Sequence, residues 1–474
     1  MLHLVIYSLL AKAWHAVGLV SNCCLFISLE YLAMAMEDKP GLTSSKTAKK
    51  KLLLVVIATS NFCVLCCVSL IAPFYAIEAA KKDVGETVTG IIYGSSEFVI
   101  FLTSPIIGYL LSKFSPRSFY IAGLWMFGVC EVLFGWMNRL PAGPLFVVPC
   151  LVLRTVEALG TAAVLTSSFA IVGQTFQETV VSVYGILETV ISLGFMAGPA
   201  IGGGLYQLGG YGVPFWALGT CTVLFGCVSY ALLPTLDHMQ STKNSSLPLL
   251  RSPEVWFGIC SISVALFATV LMHPVYAKHL GQFNLTQSEI GFAFVACPSA
   301  FSVASVTWGY LLENCASAVP VLVAGMTCGA IVYLFLGPAP FICVSNTLWL
   351  SVLTVGLVGF CSAPIVVGSI KYIFEQASRL GYSESNATLG MISGTIHAAN
   401  YLGTFIGPLV GGVLTEHFGF AWAMTSCVPV LMLPLLLFGP LLIFRSRNLP
   451  TQPAPSNKNY TTIEGLNTAN SDIR

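Results

Sequence analysis

Two copies of one glycine pattern, half a chain apart, limit what this sequence can fold into more than any other feature. The first runs Gly194-Phe-Met-Ala-Gly198-Pro199-Ala-Ile-Gly202-Gly203-Gly204-Leu205. The second runs Gly403-Thr-Phe-Ile-Gly407-Pro408-Leu-Val-Gly411-Gly412-Val-Leu414, an offset of 209 positions in a chain of 474 residues. A shorter pair, Gly108-Tyr-Leu-Leu111 and Gly309-Tyr-Leu-Leu312, has an offset of 201. Each copy lies at the matching place in its half of the chain. Doubled elements at this period mark a two-fold repeat, and within long apolar runs they point to two parallel halves of a membrane transporter.

Composition agrees. Hydrophobic residues make up 56% of the chain and charged residues 9%, with a mean hydropathy of +0.83. A soluble domain carries about 25% charged residues, so this chain cannot clothe a water-facing surface. From Leu52 onward the apolar runs are each long enough to span a bilayer. Twelve spans are expected, near 52–76, 87–111, 118–137, 145–173, 180–207, 214–233, 255–277, 288–312, 319–337, 347–370, 388–414 and 420–444. The polar break at 234–254 divides six from six. The expected fold is therefore an all-α membrane protein of two pseudo-symmetric six-helix bundles, 52–233 and 255–444. A segment 1–51, a cytoplasmic linker 234–254 and a cytoplasmic tail 445–474 complete the chain. The apolar stretch near 16–36, interrupted by Glu30, reads as a signal anchor, an extra helix or an upstream extension, and is set apart from the fold.

Lys and Arg orient the spans. With the segment before Leu52 placed in the cytoplasm, fifteen basic residues, among them Lys113, Arg117, Lys371 and Arg379, fall on the cytoplasmic side. Four, Lys81, Lys82, Arg139 and Lys278, fall on the other. A net charge of +1 gives no reason to expect a nucleic acid partner. The sixteen Cys lie mostly inside apolar runs without zinc spacing, and no phosphate loop or nucleophile–base pair appears, so neither an enzyme nor a metal or other cofactor is expected.

Charges inside the spans carry the functional signal, because they are costly in a bilayer and face a partner or a cavity. Arg154 and Glu157 lie three residues apart in the fourth span, on one helical face. They serve either as an internal structural ion pair or as substrate contacts. Glu97 and Glu131 fall in the second and third spans, and Glu188 in the fifth, shortly before Gly194. The 209-residue offset places His397 at the twin position of Glu188. His273, before Pro274, closes the seventh span. A cation site needs a carboxylate that replaces water around an ammonium group; a proton site needs a carboxyl that keeps its proton near neutral pH, which desolvation arranges. Glu188 is placed for either job, and proton and cation competing for it would give antiport. The glycines at four-residue spacing let helices touch, as plain packing or as a flexible interface near the exit end of a central cavity. Pro199 and Pro408 remove a helix hydrogen bond each. Lys113 and Arg117 are expected either as positive-inside anchors or as partners of a helix C-terminus or of an acid in the other half.

Arg154-Thr-Val-Glu-Ala-Leu-Gly160-Thr-Ala-Ala163 resembles the fourth-span motif of the major facilitator superfamily, and Gly198-Pro199 resembles its antiporter motif. The run from Leu187-Glu188-Thr189 through Gly202-Gly203-Gly204-Leu205-Tyr206-Gln207 to Gly210-Tyr211-Gly212-Val213-Pro214-Phe215 is similar to the vesicular polyamine transporter branch of the vesicular amine transporters. So are Thr388-Leu389-Gly390, Gly407-Pro408 and Gly419-Phe420-Ala421-Trp422. The resemblance covers roughly 52–444. It implies proton-coupled exchange of organic cations, polyamines or monoamines, in a vesicle or lysosome-related membrane, with the plasma membrane as the other location. Two positions depart from it. Ser112 stands where the loop motif usually has an acid, and Met272-His273-Pro274 stands where the branch tends to carry an acid before proline. The competing expectations are a carrier of neutral or anionic metabolites, with Arg154 holding a carboxylate, and a non-transporting receptor on the same fold. Asn284-Leu-Thr286 is a glycosylation sequon, and Tyr460-Thr-Thr-Ile463 resembles a signal for sorting adaptors.

Overall fold

The computed structural model describes residues 44–84, 86–177, 179–234, 251–283, 287–314, 317–380 and 386–448. The apolar stretch near 16–36, the Asn284 sequon and the Tyr460 motif lie outside these residues. Helices account for nearly everything described. In chain order they are α1 (Ser44–Lys81), α2 (Glu86–Leu110), α3 (Pro116–Phe134), α4 (Pro144–Thr175), α5 (Val180–Gly209) and α6 (Gly212–Leu232), then α7 (Pro253–Leu271), a short α8 (His273–Leu280), α9 (Gln287–Asn314), α10 (Ala318–Leu336), α11 (Leu348–Arg379), α12 (Asn386–Phe418) and α13 (Phe420–Asn448).

Among the described residues eleven segments are long and apolar enough to cross a bilayer. The twelfth expected span is α12, a 33-residue helix whose glycines, His397 and Asn400 dilute its hydropathy. The seventh span ends earlier than the sequence suggests. Instead of running to 277, α7 stops at Leu271, and α8 restarts at His273 with Pro274 as its second residue, the end of a helix where a missing N–H costs nothing. In the other direction, α11 runs on to Arg379 rather than 370.

The helix pairings repeat. In the first six helices α1 packs on α5 and α6, α2 on α4, and α3 on α4 and α6. From α7 onward the equivalents recur: α7 on α12 and α13, α9 on α11, and α10 on α11 and α13. Two crossings join the halves, α2 with α12 and α5 with α9, and α4 adds a smaller contact with α12.

Glycine makes each close crossing possible, and the doubled motif has a specific job. A Cβ on Gly194 would stand 2.7 Å from the Phe62 carbonyl oxygen, and one on Gly198 would strike Cys66 and Ser69. In the second half Gly407 would meet the Phe267 carbonyl at 2.8 Å, while Gly403 and Gly411 meet the Ser263 and Leu271 carbonyls. The motif thus seals α1 to α5 and α7 to α12, inside each half. These contacts lie within a bundle and not between the halves. Gly202 is buried, but Gly203 and Gly412 have open space where a Cβ would lie. Pro199 and Pro408 lie within continuous helices.

The shorter Gly-Tyr-Leu-Leu pair makes the seams between halves. Gly108 would place a Cβ 2.5 Å from the Gly390 carbonyl oxygen and 3.2 Å from the Gly394 Cα. Its twin Gly309 faces Ser182 and the Val181 carbonyl at 3.3 Å, and Gly185 would place a Cβ 2.6 Å from the Ser305 carbonyl. All of these lie toward the end of the molecule where Lys113, Arg117, Lys371 and Arg379 gather, the basic end. Hydrogen bonds reinforce that end. The Ser182 N–H donates to Glu313 Oε2 at 2.7 Å, and the Ser393 hydroxyl donates to the Thr166 carbonyl at 3.0 Å. At mid-depth Thr189 donates to the Ser302 carbonyl at 3.0 Å, and Ser192 to the Pro298 carbonyl at 3.3 Å. Toward the opposite end, Gly90 has open space around it. The halves are therefore closed on each other at the basic end.

Candidate functional site

Three helices of the first half bring Glu97, Glu131, Arg154 and Glu157 together. Arg154 and Glu157, one turn apart on α4, form a 2.8 Å ion pair with both side chains almost wholly buried. The second amino group of Arg154 donates to the Ser96 hydroxyl on α2 at 2.5 Å. Beside Ser96, the Glu97 carboxylate accepts a 3.3 Å hydrogen bond from Thr404 on α12, so α2 links the cluster to the second half. Glu131 on α3 has no exposed surface and stands within electrostatic reach of Glu157 and Arg154. Neither of its oxygens has a hydrogen-bond partner, nor do Glu157 Oε2 and Arg154 Nε.

The arrangement is unusual in its charge balance. Three carboxyl groups lie within electrostatic reach of one guanidinium; Glu131, Glu157 and Arg154 are buried, and Glu97 is half-buried. A buried charge without a partner costs far more than one in water. Arg154 offsets one carboxylate, and the remainder calls for protons or a cation. A purely structural ion pair would need one acid and would satisfy its atoms.

Glu188 stands apart from this cluster. It is 6% exposed, on α5, and its Oε1 has no hydrogen-bond partner. Its neighbour Thr189 binds across the seam to α9, sharing a 2.6 Å hydrogen bond with the Ser305 hydroxyl. Glu188 is therefore buried beside residues of the α5–α9 seam, not against lipid. Tyr401 on α12 lies within electrostatic reach of both Glu97 and Glu188.

The twin position His397 occupies the other seam. Its ring meets Phe169 of α4 edge-on at 4.6 Å and hydrogen-bonds the backbone of Leu165, and its Nε2 has no partner. Glu188 and His397 are thus equivalent by repeat, but His397 faces α4, whereas Glu188 has Tyr401 of α12 within electrostatic reach. His273 joins neither group. It begins α8 and lies 6.3 Å from Phe294, at the end of the molecule opposite the basic one. Arg117 meets a helix C-terminus, but within its own half: it donates to the Tyr230 carbonyl at 2.5 Å near the end of α6 and lies over the Tyr230 ring. Lys113, in the turn after α2, lies over the ring of Tyr109 near the end of that helix.

Three residues were not legible in the sequence. Ser96, Tyr401 and Thr404 are ordinary polar residues in apolar helices, and only helix rotation reveals that they touch charges. Glu313 was visible as the departure from Ser112 in the second Gly-Tyr-Leu-Leu copy, yet its role at the start of α5 follows from the crossing alone.

Paired crossings repeated across two helical halves, with buried charges at their junction, define a polytopic membrane protein of transporter type. The chain belongs to the Major Facilitator Superfamily, whose model matches residues 57–282 and 280–471. It is similar to the human MFS-type transporter SLC18B1, 31% identical over 372 residues that cover 78% of this chain and 81% of that protein. The human synaptic vesicular amine transporter is 22% identical over 356 residues, covering 74% of this chain and 66% of its own. Among solved structures, the human organic anion transporter MFSD10 (TETRAN) aligns with a TM-score of 0.62 at 16% identity, covering 82% of this chain and 99% of its own. At that identity the likeness is one of fold. The relatives are transporters rather than enzymes, and so is this multi-pass membrane protein.

Proposed function

We propose that this transporter exchanges protons for organic cations, polyamines or monoamines, across a vesicular or related organelle membrane. The observation that carries the reading is the surplus of acid inside the helices: buried Glu131 and Glu157 and half-buried Glu97 against Arg154, with buried Glu188 separate on α5. Such a surplus attracts cations and protons and repels anions. It also weighs against the anion reading, because Arg154 is already engaged by Glu157 and Ser96. Similarity to a synaptic vesicular amine transporter supports both the amine and the vesicle.

Taking the basic end as cytoplasmic, the closed seams α2–α12 and α5–α9 hold the molecule shut toward the cytoplasm. Alternating access then parts these seams while the opposite ends close. Glu188 receives the cation at the seam. Glu97, tied to Thr404, communicates between the buried cluster and α12. His397 flanks the second seam, and His273 takes no direct part.

The test is uptake into proteoliposomes with an acidic interior, using radiolabelled spermidine, spermine and serotonin with a neutral amino acid as control. Gradient-driven accumulation of at least one amine, lost in Glu188→Gln, is expected. Accumulation of none of them by the wild-type protein, or full activity in Glu188→Gln, overturns the assignment.

A further inference from the structure

Building on that antiport reading, we infer that proton and cation bind at different places: the proton at Glu131 and Glu157 behind α4, the cation at Glu188 on the seam. Competition for a single carboxylate is the simpler scheme, but the geometry separates the two tasks. Glu188 adjoins residues that bridge the halves, where a substrate has to pass. Glu131 lies on α3, which packs against α4 and α6 and contacts no helix of the second half closely. Glu131 has no exposed surface, whereas Glu188 keeps 6%. A proton needs only a polar atom to hold it.

Three independent features point to Glu131 as such a holder. Both its oxygens lack hydrogen-bond partners. Its neighbours on α4 are Glu157, with one oxygen also unpartnered, and Arg154, with Nε unpartnered. The other titratable groups around it are the Cys67 thiol from α1, the Tyr211 phenol at the start of α6 and Cys130 on its own helix. Thiols and phenols are ordinarily uncharged near neutral pH, so the carboxyls must accept the protons. Two protons would bring Glu97, Glu131, Glu157 and Arg154 to zero net charge.

The step balances simply. A hydronium ion of the acidic compartment gives up a proton and leaves as water, and an O–H bond forms on Glu157 or Glu131. A protonated Glu157 no longer attracts Arg154, which is then held by Ser96 on α2 and drawn toward Glu97. Glu97 in turn is bonded to Thr404 on α12, so occupancy of the proton site is transmitted to the α2–α12 seam.

Glu131→Gln, which copies the protonated carboxyl in shape, separates the two sites. In proteoliposomes with radiolabelled spermidine and serotonin, it should lose gradient-driven accumulation at least ten-fold. Exchange of internal for external label, at equal pH on both sides, should stay within two-fold of wild type. Glu188→Gln should lose both. Gradient-driven uptake retained by Glu131→Gln overturns the proposal, and so does loss of exchange in protein that elutes as a monodisperse peak. Should Glu131→Gln not yield folded protein, Glu157→Gln decides by the same two assays, and retained coupling there overturns it equally. The antiport reading itself fails differently, by wild-type protein that accumulates neither amine.

Discussion

Adding one methyl group at Gly108 should unlock the basic end of the molecule. A Cβ there would lie 2.5 Å from the Gly390 carbonyl oxygen and 3.2 Å from the Gly394 Cα, both backbone atoms of α12. Backbone cannot swing aside as a side chain can, so α12 has to retreat by roughly 1 Å to reach an ordinary C···O contact of about 3.3 Å. Overpacking of this kind costs about 1–3 kcal/mol, while Ala in place of helical Gly returns about 0.5–1 kcal/mol in any state of the helix. The first quantity applies only when the seam is closed. It therefore shifts the balance between closed and open forms by about 1–3 kcal/mol, a factor of roughly 5 to 150 at about 1.4 kcal/mol per tenfold. Spin labels at Lys113 and Leu380, both exposed near that end, would report the change as a longer distance by electron–electron resonance. The exposed Cys227, Cys328 and Cys343 must be replaced first. Gly90→Ala is the control, since nothing lies within 4 Å of its added Cβ. Identical distance distributions for Gly108→Ala and Gly90→Ala would refute the reasoning.

Further outcomes follow from individual contacts. Glu157→Ala strands a buried guanidinium and should cost about 3–5 kcal/mol, lowering the melting temperature in detergent well beyond Glu157→Gln; equal melting would show that Arg154 finds another partner. Glu313→Ala removes an acceptor from the start of α5 and should weaken the closed form by about 1 kcal/mol, again lengthening the Lys113–Leu380 distance. His279, outside the spans, stacks on Phe420 at 3.8 Å and bonds Asn346, and burial pulls its pKa down to about 4. Its neutral form favours the folded state, so this contribution is complete above about pH 6.5 and declines as pH falls from there toward 4, by at most about 1.4 kcal/mol per unit. Melting of the wild type should thus fall more steeply than that of His279→Gln between pH 7 and 5.

Hydropathy made the spans legible, because a bilayer demands long apolar helices whatever their partners. The repeat made the pairing of halves legible, since Gly194 with Gly403 and Gly108 with Gly309 are visible as strings. What each glycine touches was not. Gly194 meets α1 and Gly108 meets α12, and nothing local distinguishes a crossing within a bundle from one between bundles. The ion pair of Arg154 and Glu157 was readable from three-residue spacing on one helix. The approach of Glu131 to that pair depends on how α3 is rotated against α4, a consequence of packing along both helices. The early stop of α7 was hinted at by the proline after His273, but an apolar run continues through Met272 and hides the break.

The two seams are built from twin glycines but are not equally fastened. Beside Gly309, Glu313 reaches across to the first turn of α5 and sets a negative charge against that helix's positive end. Beside Gly108, Ser112 in the turn after α2 bonds back to the Tyr109 carbonyl, and its hydroxyl does not reach across. A molecule fastened this way should open unevenly: the α2–α12 edge lets go first, and the α5–α9 edge, beside Glu188, follows like the slower leaf of a double door.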